Sequence, residues 1–439
     1  MAFSAYTVEG MLNRLDLTTV DNGDISVSLP RPNLDGLAPE EVVSEIISTV
    51  KSHGDRALNQ YAEKFDGRAP EVLAVSSSDI TSAWESISDE LREALEVAAS
   101  RIEKFHETQI RETETVSDDG ITIETKHQPV ARAGCYVPGG RAAYPSTLLM
   151  TAIPAKVAGV KEVVVCVPPD SSGLINQATL AAAKIAGVTS VYAVGGAQAI
   201  AAMAYGTETI PAVDLIVGPG NIYVATAQRQ VAGDVGVASS FAGPSEVVVI
   251  ADESTSAQYA AVDLIVQAEH GPDGLAWLIS WDQKVIDDVL LELERLVSKS
   301  LRREMITEKF ANEGYAVLVK DPNQAMQVAN HVAPEHLQIM TSDPRSLLDS
   351  LQNAGAVFLG NMSPASVGDY VAGPSHVLPT HGSARFSGAL TVADFCKDMH
   401  IISLEDSGLK KVGQSVIEIA EAEGLVGHAD SIRVRLEGK

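Results

Sequence analysis

EVVVCVPPDSSGLINQATLAAAKIAGVTSVYAVGGAQAIAAMAYG, residues 162–206, decides the fold. It holds two short apolar runs, EVVVCV (162–167) and SVYAVG (190–195). Each leads into an alanine-rich stretch of helical character, QATLAAAKIAGV and then AQAIAAMAYG. A third unit follows, with DLIVGPG (214–220) running into NIYVATAQRQVAG. Apolar runs this short and this rich in valine and isoleucine are strands covered on both faces. A helix after each one is the signature of βαβ units and a parallel sheet.

Working outward, a second series begins at EVVVIAD (246–252) and continues through AWLIS, YAVLVKD and AVFLG, again with helices between. Upstream, residues 38–64 and 89–110 read as helices. In the second, Leu91, Leu95, Ile102 and Phe105 recur at helical spacing and predict one buried stripe. The strand-like GITIETKHQPVARAGCYVPGG then ends on a sharp Pro-Gly-Gly turn. The expected fold class is α/β, with two Rossmann-like parallel-sheet lobes and a cleft between them. Residues 1–30 form an N-terminal extension, and 31–135 with 243–385 a discontinuous main lobe. Residues 136–242 form an inserted lobe, and 386–439 a mainly helical arm, too small to hold a core alone, that packs on another subunit or back across its own.

Composition narrows the function. The chain of 439 residues carries 32 basic against 58 acidic side chains, a net charge of −26. Such a field repels phosphate backbones and anionic lipid, so neither nucleic acid nor a membrane is an expected partner. Cys135, Cys166 and Cys396 form no CxxC pair, and the N-terminus lacks a basic segment followed by an apolar core. Reduced thiols and a cytoplasmic protein are therefore expected.

Three glycine turns stand at strand ends: YVPGG (136–140), VGGAQ (194–198) and VGPGN (217–221). None is the G-x-G-x-x-G dinucleotide fingerprint, and strand-to-helix corners need glycine anyway. Two of them open helices, where free peptide N–H groups can hold a phosphate. Polar groups gather in the second series instead. Ser245 stands before a strand, Gln267 and His270 share one helical face, and Glu335 is adjacent to His336. Asp369 lies in a glycine-flanked loop with His376 seven residues on, and Glu423 and His428 lie in the tail. Singly, each fits a helix end, a turn or a loop ion pair. Jointly, two imidazoles, a carboxylate and an amide carbonyl offer the nitrogen and oxygen donors that suit zinc or its neighbours. An imidazole beside a carboxylate can serve as a base near neutrality while the carboxylate activates water.

The set YVPGG, PSTLLMTAIPAKVAGV, VGGAQAIAAMAYGT, VGPGNIYV, AGPSEVVVIAD, QAEHG, APEHL, GDYVAGPSHVLPT and AEGLVGH resembles the histidinol dehydrogenase family over roughly residues 35–430. The resemblance implies a zinc-dependent homodimer of histidine biosynthesis. Such an enzyme oxidises L-histidinol to L-histidine in two hydride transfers to two NAD, through an aldehyde held on the enzyme. It implies one Zn2+ per subunit on Gln267, His270, Asp369 and His428, the last donated across the subunit interface. It implies that His336 removes the alcohol proton and Glu335 activates the hydrating water. Substrate contacts would come from Ser245, Gln267, His270, His336, Asp369, Glu423 and His428, with Glu423 suited to a cationic amine and also placed across the interface. Tyr136, Gln198 and Asn221 match dinucleotide contacts. Relatives that oxidise other alcohols, such as sulfopropanediol, typically carry Thr in the GPSE turn and an S-E-H variant of APEH, whereas this chain has Ser245 and Pro334. EGLVGHADSIRVR lies somewhat nearer those relatives. A metal-binding scaffold without catalysis is the non-enzymatic alternative, and the intact Glu335–His336 pair argues against it. Cys135 and Cys166 read as inert core thiols, against a covalent thiohemiacetal.

Overall fold

Alternate residues of the first apolar run face different cores. Val163, Val165 and Val167 pack into one buried cluster, while Val164 and Cys166 pack into another. That is the two-residue period of a strand buried on both faces. The computed structural model describes residues 11–21, 25, 29–30, 39–68, 70, 72–139, 142–238, 245–268 and 274–438.

The strands in chain order begin with β1 (Asn13–Asp16), β2 (Glu114–Asp118), β3 (Ile121–Pro129), β4 (Arg132–Tyr136) and β5 (Glu162–Val167). Next come β6 (Ser190–Ala193), β7 (Leu215–Val217), β8 (Gly236–Val237), β9 (Glu246–Ala251) and β10 (Leu275–Ser280). The last are β11 (Gly314–Leu318), β12 (His336–Met340), β13 (Ala356–Leu359) and β14 (Cys396–Leu404). The α-helices are α1 (Glu40–Asp66), α2 (Ser77–Ser86), α3 (Asp89–Glu107), α4 (Pro145–Val157), α5 (Gln177–Ala186), α6 (Gly196–Tyr205) and α7 (Ile222–Val231). They continue with α8 (Ala257–Ala268), α9 (Gln283–Val297), α10 (Arg303–Glu313), α11 (Pro322–Val332), α12 (Ala365–Tyr370), α13 (Asp406–Ala422) and α14 (Val426–Glu437).

Both expected parallel sheets are present. The larger has the order β1-β11-β10-β9-β12-β13, and the smaller has β6-β5-β4-β7-β8. In the larger sheet Val247, Val249 and Ala251 of β9 face α8 and α9, while Val248 and Ile250 face α11. Each fully buried side chain of this size contributes about 1.5–3 kcal/mol, so the two-sided burial of these strands dominates the stability of both lobes.

Three features depart from the sequence reading. Helices α1–α3, expected with the main lobe, cover the smaller sheet instead: Val43, Ile46 and Leu58 join one of its cores, and Leu95 and Ile102 the other. Their apolar stripes fit the faces that α4–α7 leave open. The N-terminal segment supplies β1, an edge strand of the larger sheet, paired from Asn13 opposite Tyr315. The arm opens with β14, a strand paired antiparallel along the whole of β3, with β2 beyond it. Its polar and apolar residues are exposed on both sides, so CKDMHIISL lacks the alternation that marks a half-buried strand. The α13–α14 hairpin beyond has only Ile417, Ala420 and Ala429 as a buried centre. Among the described residues no helix is long and apolar enough to cross a membrane.

Gly218 marks where the smaller sheet is tightest. Its φ is +116°, and a Cβ there would stand 2.1 Å from the Tyr136 carbonyl oxygen. A side chain at this position meets both a forbidden backbone conformation and rigid backbone atoms. Gly218→Ala should lower the unfolding free energy by about 2 kcal/mol or more, read as a reduced urea midpoint at unchanged slope.

Candidate active site

Glu335 and His336 are placed by the end of α11 and the start of β12. The helix stops at Ala333, held in the left-handed region at φ +50° while its N–H still reaches the Ala329 carbonyl at 2.8 Å. Pro334 cannot continue a helix, so the chain turns at once into the strand. The neighbouring strand β9 then clamps the pair through the backbone of its first residue. The Glu246 N–H donates to Glu335 Oε2 at 3.1 Å, and the Glu246 carbonyl lies 3.2 Å from His336 Nδ1. With Nδ1–H donated to that carbonyl, Nε2 is the nitrogen that gains or loses a proton: in the imidazolium its N–H faces Asp369 Oδ1, 3.4 Å away, and in the neutral ring the lone pair is there. Glu335 Oε2 lies 3.6 Å from Nδ1, and the Phe358 ring packs 6.0 Å from the imidazole.

This edge of the larger sheet is its amino edge, since Glu246, Leu275, Gly314, His336 and Ala356 all begin strands. Ligands of open α/β sheets ordinarily sit at the carboxyl edge. Here the carboxyl edge of the other sheet is brought to face it. His376 makes the link: Nδ1 lies 2.9 Å from the Asp369 carbonyl and Nε2 2.8 Å from Thr147 Oγ1 near the start of α4. Ser375 Oγ adds a bond of 3.0 Å to the Met150 carbonyl. The sequence reading noted His376 without a role, and the structure makes it the latch between the lobes.

The three glycine turns converge on that carboxyl edge. The Tyr136 hydroxyl accepts from the Gly196 N–H at 3.1 Å, and Gly139 and Gly195 both press on Pro168. Gln198 is buried in the first turn of α6. The Asn221 side chain caps α7, accepting from the N–H groups of Tyr223 and Val224 at 3.0 and 3.1 Å.

Gln267 lies in the last turn of α8, on the face of the larger sheet to which β12 presents Gln338, bonded to Asp263 of α8 at 2.8 Å. Its carbonyl accepts from Lys309 Nζ at 2.9 Å, so a buried ammonium caps the end of this helix. Its own amide Nε2 is buried with no partner among the described residues. His270 lies outside the described residues. Glu423 and His428 are exposed on the arm, at the end of α13 and the start of α14, and the chain does not bring them to the pair. Among the described residues no cluster of three His, Cys, Asp or Glu side chains able to hold a metal forms.

Burial pulls the His336 imidazolium down, but the Glu335 and Asp369 carboxylates and the Glu246 carbonyl outweigh it and raise its pKa to about 9. Burial and the Asp369 charge raise Glu335, opposed by His336, the Glu246 N–H and the Ser245 hydroxyl. Burial pushes the Cys135 thiol up to about 12 and raises Cys166 as well. No thiolate nucleophile is available in either core position.

The comparisons with known proteins identify the family. The profile of the family described as histidinol dehydrogenase matches residues 29–436. The chain belongs to the histidinol dehydrogenase family. It is 44% identical over 397 residues to the histidinol dehydrogenase of Prochlorococcus marinus (strain MIT 9312), covering 90% of each chain. It is 42% identical over 433 residues to that of Methanocaldococcus jannaschii, covering 98% of this chain and 100% of the relative. The crystal structure of histidinol dehydrogenase from Elizabethkingia anophelis superimposes with a TM-score of 0.93 at 34% identity, over 98% of this chain and 99% of that one. The family makes this chain an oxidoreductase enzyme and assigns it to histidine biosynthesis.

A histidine whose folded pKa exceeds its unfolded value of about 6.5 lends stability that is complete below that pH. The contribution is lost as pH rises through about 9. In metal-free protein the melting temperature of wild type should therefore exceed that of His336→Gln on the acid side. The gap should close above pH 9, as followed by calorimetry across the pH range.

Proposed function

We propose that this enzyme oxidises L-histidinol to L-histidine by two successive hydride transfers to NAD through the aldehyde, as the last step of histidine biosynthesis in the cytoplasm. The observation that carries the reading is the buried Glu335–His336 pair, clamped by the backbone of Glu246 and set against Asp369 at the edge that faces the glycine turns. His336 Nε2 takes the alcohol proton as the first hydride leaves. Glu335 takes a proton from the water that adds to the aldehyde, while the protonated His336 returns its proton to the former aldehyde oxygen, so that a neutral hydrate forms and the imidazole is free again. His336 takes the proton of the resulting hydrate as the second hydride leaves, so two NADH form and the substrate carbon gains one oxygen from water. The glycine turns after β4, β6 and β7 offer strand-end backbone for the dinucleotide, with Tyr136, Gln198 and Asn221 beside it.

The residues present fit a divalent ion. The fit rests on the chemistry of the donor set: Gln267 offers an amide carbonyl oxygen from a buried side chain, and Asp369 presents a carboxylate beside His336. Gln267, His270 and Asp369, with His428 of the partner subunit, would hold zinc. Zinc there supplies a template for the imidazole and amine of the substrate. Ser245 lies beside Glu335 at the substrate side, and Glu423 of the partner subunit suits the substrate's ammonium.

A second copy is the occupant that the arm calls for. Met399, Ile401, Ile402 and Leu404 of β14 are exposed, as are Ile419, Leu425 and Val426 around the helical hairpin that bears Glu423 and His428. A face this apolar with so small a core of its own is suited to a subunit interface.

Two experiments test the reading. Zinc-loaded protein given histidinol should form about two NADH per substrate consumed; one NADH with free aldehyde contradicts it. Mixing subunits tests the shared site. His336→Ala and His428→Ala proteins should each be inactive, yet co-refolded together they should regain about a quarter of wild-type activity. Half of the random dimers then carry one intact site of two. No recovery would place both residues in one subunit's site.

A further inference from the structure

The backbone of Glu246 holds the catalytic pair, and its side chain lies on the Glu335 side of the sheet, away from His336. Residue 246 precedes Val247, which is opposite His336 in register, so the 246 and 335 side chains are neighbours across β9 and β12. The Glu246 side chain is on the α11 side of the sheet, and it is 1% exposed. Neither of its carboxylate oxygens has a hydrogen-bond partner among the described residues. It lines a cavity of about 210 Å3 together with Trp277, whose indole N–H is likewise buried without a partner.

Two buried carboxyls at neighbouring strand positions cannot both be ionised at modest cost, so the pair holds one proton between its two sites. Their partners decide where it resides. Glu335 has the Glu246 N–H, the Ser245 hydroxyl and the His336 ring to stabilise its charge. Glu246 has none of these, and an unpaired carboxylate in such a place is far costlier than a neutral acid. From this we infer that Glu246 is a positioning residue that keeps the shared proton, so that Glu335 stands ionised and ready to take a proton from water. The inference rests on the base role given to Glu335 above.

The charged and titratable groups around Glu246 are consistent with that assignment. Glu335 on β12 repels it, and the peptide N–H groups of Glu335, His381 and Gly382 oppose the rise without forming well-aligned bonds. His336 faces away to the α8 side, where Asp369 engages it. His331 at the end of α11 and His381 and Arg385 beyond the latch line the same cavity as the carboxyl. Burial first, and Glu335 second, bring Glu246 up to about 8.

Infrared difference spectroscopy of the full-length protein tests this without relying on turnover. Wild type at neutral pH should show the carbonyl stretch of an un-ionised carboxylic acid, titrating away near pH 8. Glu246→Gln should lose that band. Glu335→Gln should keep it, with the midpoint moved to lower pH because the repelling charge is gone. A band that survives in E246Q and vanishes in E335Q puts the proton on Glu335 and overturns the inference. So does a wild-type spectrum with no un-ionised carboxyl. Stability gives a second reading. A carboxyl raised from 4.5 to about 8 costs stability that grows as pH climbs through that window. E246Q should therefore melt above wild type at the alkaline end, with the gap closing toward acid; equal melting temperatures throughout also overturn the inference. Failure to oxidise histidinol would leave all these readouts intact, and so bears on the substrate reading alone.

Discussion

The backbone of one residue does more than any other to fix this site. The N–H and carbonyl of Glu246, at the first position of β9, bond Glu335 and His336 at the first position of β12. They can do so only because the two strands are parallel and adjacent, with His336 opposite Val247. In a parallel ladder the residues that begin neighbouring strands share one edge, and their free peptide groups face outward together. The pairing thus sets the tautomer of His336, the orientation of Glu335 and the position of the Glu246 side chain behind them. A shift of register by one residue would turn all three to the wrong face.

The second constraint is the meeting of unlike edges. A parallel sheet presents helix N-termini and glycine turns at its carboxyl edge, which suits a dinucleotide. Its amino edge offers strand starts, where side chains can be clamped by peptides as Glu335 and His336 are. The chain uses one sheet for each purpose and joins them through His376, which touches Asp369 on one side and Thr147 on the other. The separation of the glycine turns from His336 is therefore governed by a side-chain latch and by the helices that cover each sheet. Lys309 adds rigidity by capping the helix that ends at Gln267.

Charge has two separate scales here. Over the whole surface the excess of acidic residues acts through its long-range field, which opposes the approach of polyanions. Inside the site the acidic groups act one by one. Glu246, Glu335 and Asp369 lie within a few residues' breadth, and one imidazole stands among them. Their burial makes each neighbour's charge count for far more than it does on the surface.

The amino-acid sequence by itself determined both parallel sheets, because valine-rich runs such as EVVVCV and EVVVIA are long enough to be strands and too apolar to face water. It also marked Glu335 and His336, since adjacency in the chain guarantees adjacency in space. It did not reveal β14, whose residues are exposed on both faces and so carry no two-residue alternation. Nor did it show that α1–α3 cover the smaller sheet, because an amphipathic stripe says that a face is buried and not against what. Only the tertiary structure decided that Glu246 stands behind Glu335, that His376 spans the lobes, and that His428 is held away from the pair on an exposed arm. Those facts depend on strand register and on how helices dock, and both are set by long-range packing that no local spacing records.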